Sequence, residues 1–148
     1  MWSDEILDEL RRNVKKRGIP IDHRIAQMRQ AFPDATVDGY EPLVESMTND
    51  EKDRHVLAAA VRGSAEVIVT RNTKHFPGSA LAPYDLSAVH PDDFLLDQLD
   101  LHPGATLGVP ERQADPYRRE PTTVLGVLSR LERDGVPGFA AEVRRHLH

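Results

Sequence analysis

A chain of 148 residues is long enough for one ordinary domain with a real core, and its 39% hydrophobic and 29% charged residues mark a globular, fairly polar protein rather than a disordered one. The net charge of −5 gives no support to tight binding of duplex nucleic acid through phosphates alone, although carboxylates that hold a metal would add negative charge of their own. The absence of cysteine excludes a disulfide framework and thiolate metal sites, and no stretch approaches the roughly 20 apolar residues of a membrane span. The N-terminus, Met-Trp-Ser-Asp-Glu, lacks the basic and apolar regions of a signal peptide, so the expectation is a cytoplasmic protein with no membrane partner.

Ser3 is a good N-cap, and Asp4 and Glu5 suit the positive end of a helix dipole. Ile6, Leu7, Leu10 and Val14 then recur at helical spacing. Basic residues from Arg11 to Arg17 crowd the second half of this helix, and Gly18 with Pro20 ends it. A second helix is expected from Asp22, with Ile25, Met28 and Phe32 inward and Pro33 as its stop. Residues 35–40 suit a short strand, and Leu43, Val44 and Met47 fit a single helical turn.

Asn49 or Asp50 caps the next expected helix, which runs through Asp53 to about Arg62 with small apolar side chains and stops at Gly63. Residues 66–70 form the best strand in the sequence. It is β-branched, short and too apolar to alternate, as expected for a strand buried on both faces. A helix feeding such a strand points to a parallel sheet. A weaker strand follows at 86–89, and then a helix from Pro91 through Leu99.

At His102-Pro103-Gly104 the character changes. A loop rich in proline, glycine and charge leads to Thr122 or Thr123 as a cap, and then to a helix bearing Val124, Leu125, Val127, Leu128 and Leu131. A turn at Gly135-Val136-Pro137-Gly138 precedes a final helix marked by Phe139, Val143 and Leu147. The expected organisation is an α/β domain over residues 1–103, followed by a loop and C-terminal helical hairpin over 104–148.

In open parallel sheets, functional groups gather at the carboxyl ends of the strands. Asn72 and His75 lie just past such an end, and Asp53 opens the preceding helix near the same edge. A carboxylate beside an amide oxygen is a start on a hard-cation site for Mg²⁺ or Mn²⁺. Each residue also has a plainer role available. Asp53 suits dipole compensation or a cap, Asn72 turn chemistry, and His75 surface or core packing.

The stretch "NDEKDRHVLAAAVRGSAEVIVTRNTKHFP" resembles the signature of PIN-domain proteins, in particular the VapC-like toxin ribonucleases of type II toxin–antitoxin systems. "WSDEILDELRRNV" resembles an earlier helix of the same group, in which the glutamate of Ile-Leu-x-Glu-Leu is an active-site acid; here it is Glu9. "HPDDFLLDQLDL" and the C-terminal hairpin resemble the group's tail, so the likeness covers most of the chain. It implies a PIN-like parallel sheet flanked by helices, with Glu9 and Asp53 as metal-binding carboxylates for Mg²⁺ or Mn²⁺. Asn72 would be the third catalytic residue, orienting water or a ligand, and His75 falls where some relatives carry another acid. Arg54, Arg71 and Lys74 lie near this constellation, as phosphate contacts or as solvated surface charge.

The family pattern opens with a central strand bearing an aspartate, and then a helix, ahead of the segment matched from Ser3. The expectation is therefore an N-terminally truncated sheet lacking one acid of its cluster, completed by a separate N-terminal segment, by a homodimer or by a rearranged sheet. The implied activity is that of a divalent-metal-dependent endoribonuclease toxin, impaired or needing completion, with water as nucleophile, RNA as substrate and a cognate antitoxin as partner. One alternative is a catalytically inactive PIN scaffold that binds an antitoxin or other partner as regulator or decoy. Another is a functional protein that starts upstream.

Overall fold

The computed structural model describes residues 1–114 and 123–147. The chain divides into two compact units, one formed by Met1–Ile68 with Asn72–Ala88 and the other by Val69–Arg71 with Val89–His148.

In the first unit, α1 (Asp4–Lys15) starts where the Ser3 hydroxyl accepts a hydrogen bond from the Ile6 amide at 3.2 Å. Leu7 is buried, and Ile6, Leu10 and Val14 are half-buried along the same stripe. α2 (Asp22–Ala31) buries Ile25. Phe32, expected inward, is instead 61% exposed and meets Trp2 edge-on, with ring centroids 6.4 Å apart. Pro33 ends the helix, and the φ of −133° and ψ of 70° at Phe32 carry its side chain off the face that Ile25 occupies. The strand expected over 35–40 is reduced to one parallel bridge, Trp2 to Thr36. Ser3 turns the chain into α1 at the next residue, so the ladder has nothing with which to continue.

A 3-10 turn over Glu41–Ser46 is followed by another over Glu51–Asp53, which leads into α3 (Arg54–Arg62). Leu57, Ala58, Ala59 and Ala60 are buried, and these small side chains let α3 sit close to its neighbours. Gly63 closes the helix, and a Cβ there would meet the Val37 side chain at 2.9 Å. The core gathers Tyr40, Met47, Leu57, Ile68, Phe76 and Leu81.

The two strands, β1 (Val67–Val69) and β2 (Ser87–Val89), pair in parallel, with the Ser87 amide donating to the Glu66 carbonyl at 3.1 Å and the Thr70 amide to the Val89 carbonyl at 2.9 Å. The short helix α4 (Gly78–Leu81) lies between them in sequence. The fold is thus α/β with a small parallel sheet flanked by helices. β1 is not buried on both faces as expected. Ile68 is buried, whereas Val67 and Val69 are 39% and 44% exposed. β2 is its one ladder partner among the described residues, and apolar core covers only the Ile68 face, so the pleat imposes alternation on an entirely apolar strand.

The second unit is helical: α5 (Pro91–Leu101), α6 (Pro103–Gln113), α7 (Val124–Arg133) and α8 (Pro137–His146). The expected boundary at 103/104 lies within this unit, at the first turn of α6. The loop expected after Gly104 is helical as far as Gln113. Pro103 occupies the first turn, where its missing N–H costs nothing. Pro110 forfeits one bond inside the helix, but its ring is fully buried. Thr123 caps α7, its hydroxyl accepting from the Gly126 amide at 3.1 Å; the other cap considered, Thr122, lies outside the described residues. Gly135, at φ 96°, turns α7 into α8 and completes the hairpin. The Asp92 carboxylate accepts from the Gly138 and Phe139 amides at 2.9 and 2.7 Å, which satisfies the start of α8. Leu99, Leu128, Val136, Phe139, Ala140 and Val143 form the core.

Candidate active site

The site lies in the first unit and is assembled from three local structures. Asp50 starts the first, its carboxylate accepting from the Lys52 amide at 3.1 Å to cap the turn that ends at Asp53. Asp53 stands at the N-cap of α3, yet its side chain makes no capping hydrogen bond to the helix amides. Its Oδ2 lies 2.6 Å from His75 Nδ1 instead, short enough for a charge-assisted bond. The carboxylate is therefore engaged across the chain rather than by its own helix.

His75 comes from the second structure, the turn beyond β1. Its amide donates to the Asn72 carbonyl at 2.8 Å, and its own carbonyl accepts from the Asp50 amide at 3.1 Å. These backbone bonds tie the two turns together and hold the Asp53–His75 pair in register. Both side chains are mostly buried, at 22% and 28% exposure, so solvent screens the pair less than it would at the surface.

The third structure is α1, which brings Glu9. Glu9, Asp53, Asn72 and His75 all line one cleft of about 760 Å³. Arg12, Lys15 and Lys16 from the end of α1 line the same cleft, as does Lys52. Carboxylates and an imidazole beside four cationic side chains could hold a divalent ion and an anionic group next to it.

The donor set has the chemistry for such an ion. Ligand atoms of Asp50, Asp53 and His75 all lie within 4.8 Å of one another. Carboxylate oxygens suit Mg²⁺ and Mn²⁺, and an imidazole nitrogen is accepted more readily by Mn²⁺. Asp50 and His75 were not expected as ligands from sequence; the signal available was the Asn-Asp pair ahead of the turn, read only as a cap. Glu9, which was expected, shares the cleft but lies outside that tight group. Its Oε1 is 3.2 Å from His55 Nε2.

His55 is a polar residue that sequence reasoning passed over. It is only 6% exposed within the small apolar face of α3. The one hint was a histidine preceding the run Val-Leu-Ala-Ala-Ala. The basic residues weighed as phosphate contacts do not line this cleft. Arg54 donates to the Asn49 carbonyl at 3.4 Å, Lys74 does not line the cleft, and Arg71 belongs to the second unit, where it donates to the Asp134 carbonyl. The cationic lining comes mainly from the C-terminal end of α1, with Lys52 from the turn before α3.

A family described as PIN domain matches residues 1–74, and one described as VapC50 C-terminal domain matches residues 91–145. Glu9, Asp53 and Asn72 fall inside the first match, and His75 falls one residue beyond it. The chain is 56% identical over 107 residues to a protein of Mycobacterium tuberculosis strain H37Rv named "Putative ribonuclease VapC50". That alignment covers 72% of this chain and 63% of the relative's length. No solved structure matches.

Proposed function

We propose, since this chain belongs to the PIN-domain family, that its cleft is the centre of a divalent-metal-dependent endoribonuclease of the VapC-like toxin type. The observation that carries this reading is the lining of one cleft by Glu9, Asp53, Asn72 and His75 together with Arg12, Lys15, Lys16 and Lys52. Asp53, with Asp50 and His75 beside it, would hold Mg²⁺ or Mn²⁺, and Glu9 would complete the acidic wall. A bound divalent ion would supply an activated water and offset charge developing on the scissile phosphate.

The chain's own residues have separable parts in this reading. The Asp53–His75 pair fixes a carboxylate that would otherwise swing toward the helix amides. Asn72, at the start of the 73–75 turn, presents an amide for orienting water or a phosphate oxygen. The cations of α1 and Lys52 meet the flanking phosphates, which brings an acidic protein to an acidic substrate by local rather than net charge.

A cognate antitoxin is the protein partner that this reading implies. RNA cleavage by the full chain with Mg²⁺ or Mn²⁺, beside Asp53→Ala and Glu9→Ala, tests the proposal. Cleavage lost in both variants supports it. A folded wild-type chain that binds an antitoxin tightly but cuts no RNA at any metal concentration would replace it with the binding-only role.

A further inference from the structure

A buried titratable group inside the first unit that the proposed chemistry leaves unused is His55. Its neighbours on α3 are small and apolar, and Leu57 and Ala58 are fully buried beside it in sequence. An aliphatic side chain would satisfy such a core at no desolvation cost, whereas an imidazole there needs polar partners. Those partners are two glutamates on one face of α1, four residues apart. Nε2 faces Glu9 Oε1 at 3.2 Å, and Nδ1 faces Glu5 Oε2 at 3.7 Å, too far for a hydrogen bond. Because a carboxylate only accepts, Nε2 is the donor to Glu9. Glu5 is itself fixed, its Oε2 accepting from the Tyr40 hydroxyl at 3.1 Å.

This inference rests on the proposed metal cleft. We infer that His55 is the positioning residue for Glu9, holding the Glu9 carboxylate at the cleft wall through Nε2 so that a divalent ion meets it in place. Glu9 is 38% exposed and stands on the α1 helix with a like charge one turn back at Glu5. Without a donor between them, the two carboxylates repel and Glu9 follows its rotamer preferences into water. His55 comes from a helix packed into the core, so its position is set by burial, and Glu9 inherits that order.

Equilibrium titration of the full chain with Mn²⁺, followed by electron paramagnetic resonance, reads the effect without reference to cleavage. Three substitutions separate positioning from packing. His55→Gln keeps an N–H close to the place of Nε2. His55→Asn is polar but too short to reach Glu9, and His55→Leu fills the space without a donor. Outer-sphere partners of this kind are worth roughly 10- to 100-fold in metal affinity. His55→Leu and His55→Asn are therefore expected to weaken Mn²⁺ by about 10-fold or more, and His55→Gln by much less. In a Glu9→Ala background His55→Leu should add nothing further, since its effect runs through Glu9.

If His55→Leu fails to fold by circular dichroism, the contrast between Gln and Asn decides alone. Equal Mn²⁺ affinity in Asn, Gln and wild type would overturn the inference and leave the metal cleft standing. A wild type that binds no Mn²⁺ would overturn both.

Discussion

The two units of this chain solve the burial of polar groups in opposite ways. In the second, an apolar core of Leu99, Leu128, Phe139 and Val143 is enclosed by helices, and both oxygens of Asp92 accept from the amides that open α8. In the first, Trp2 Nε1, both side-chain polar atoms of Asn49 and Nδ1 of His55 are buried without a hydrogen bond. Among the described residues, these are the atoms left so. The first unit also holds most of the two-stranded sheet and a cleft lined by acids, bases and an imidazole. One region has its polar groups matched and gains stability. The other leaves these few atoms unmatched away from the cleft, whose own acids are paired with imidazoles.

The comparison breaks first at Asp53. If Asp53 holds the metal as proposed, Asp53→Ala is expected to lower RNA cleavage by at least about 100-fold, since a direct ligand should cost no less than an outer-sphere partner. Thermal unfolding should stay cooperative, because the substitution removes no packed core atom. A variant that keeps wild-type cleavage with Mg²⁺ would take chemistry away from the first unit.

Leu128→Ala in the second unit should do the reverse. Leu128 is fully buried, and truncation there is expected to cost about 3 kcal/mol of stability by denaturant titration. Mn²⁺ affinity of the folded fraction should not change. Asp92→Ala removes two acceptors from the first turn of α8 and should cost about 1–2 kcal/mol by the same measurement, again without touching metal binding. A change in Mn²⁺ affinity in either variant would show that the units do not divide stability from binding in this way.

The smallest effect concerns Tyr40. Burial above all pushes its pKa up from 10.0, with Glu5 adding to the rise and Ser3 opposing it. A raised pKa means that the folded state favours the neutral hydroxyl. This contribution is fully present below the unfolded value near pH 10 and is lost as pH rises from there through the folded value. Tyr40→Phe should therefore flatten the fall in stability above about pH 10 relative to wild type. Near neutral pH it should cost only about 1 kcal/mol for the lost bond to Glu5. An identical alkaline slope in both proteins, followed by chemical unfolding, would remove Tyr40 from that account.

Much of the architecture was legible in the residues themselves. Ser3 and Thr123 announced their helices because a side-chain oxygen beside the first free amides is a local event. Gly63 and Gly135 marked stops for the same reason, and the β-branched run at 67–69 specified a strand. Asp53 and Asn72 were suggested by their place at one edge of the expected sheet and Glu9 by the resemblance to PIN domains, and all three line one cleft.

What the sequence alone did not decide depends on neighbours far along the chain. The exposure of Val67 and Val69 follows from how many strands flank β1, and the length of the pairing at Thr36 from where Ser3 turns the chain. Gly104 and Pro110 read as loop, yet both lie in α6, whose packing buries Pro110 and leaves Gly104 exposed. Above all, the partners of the acids are tertiary. His75 meets Asp53 across 22 positions and His55 meets Glu9 across 46, pairings that neither histidine's sequence neighbours specify. Spacing along a helix or strand is written into adjacent residues by backbone geometry, but which carboxylate finds which imidazole is settled only when separate elements share a core.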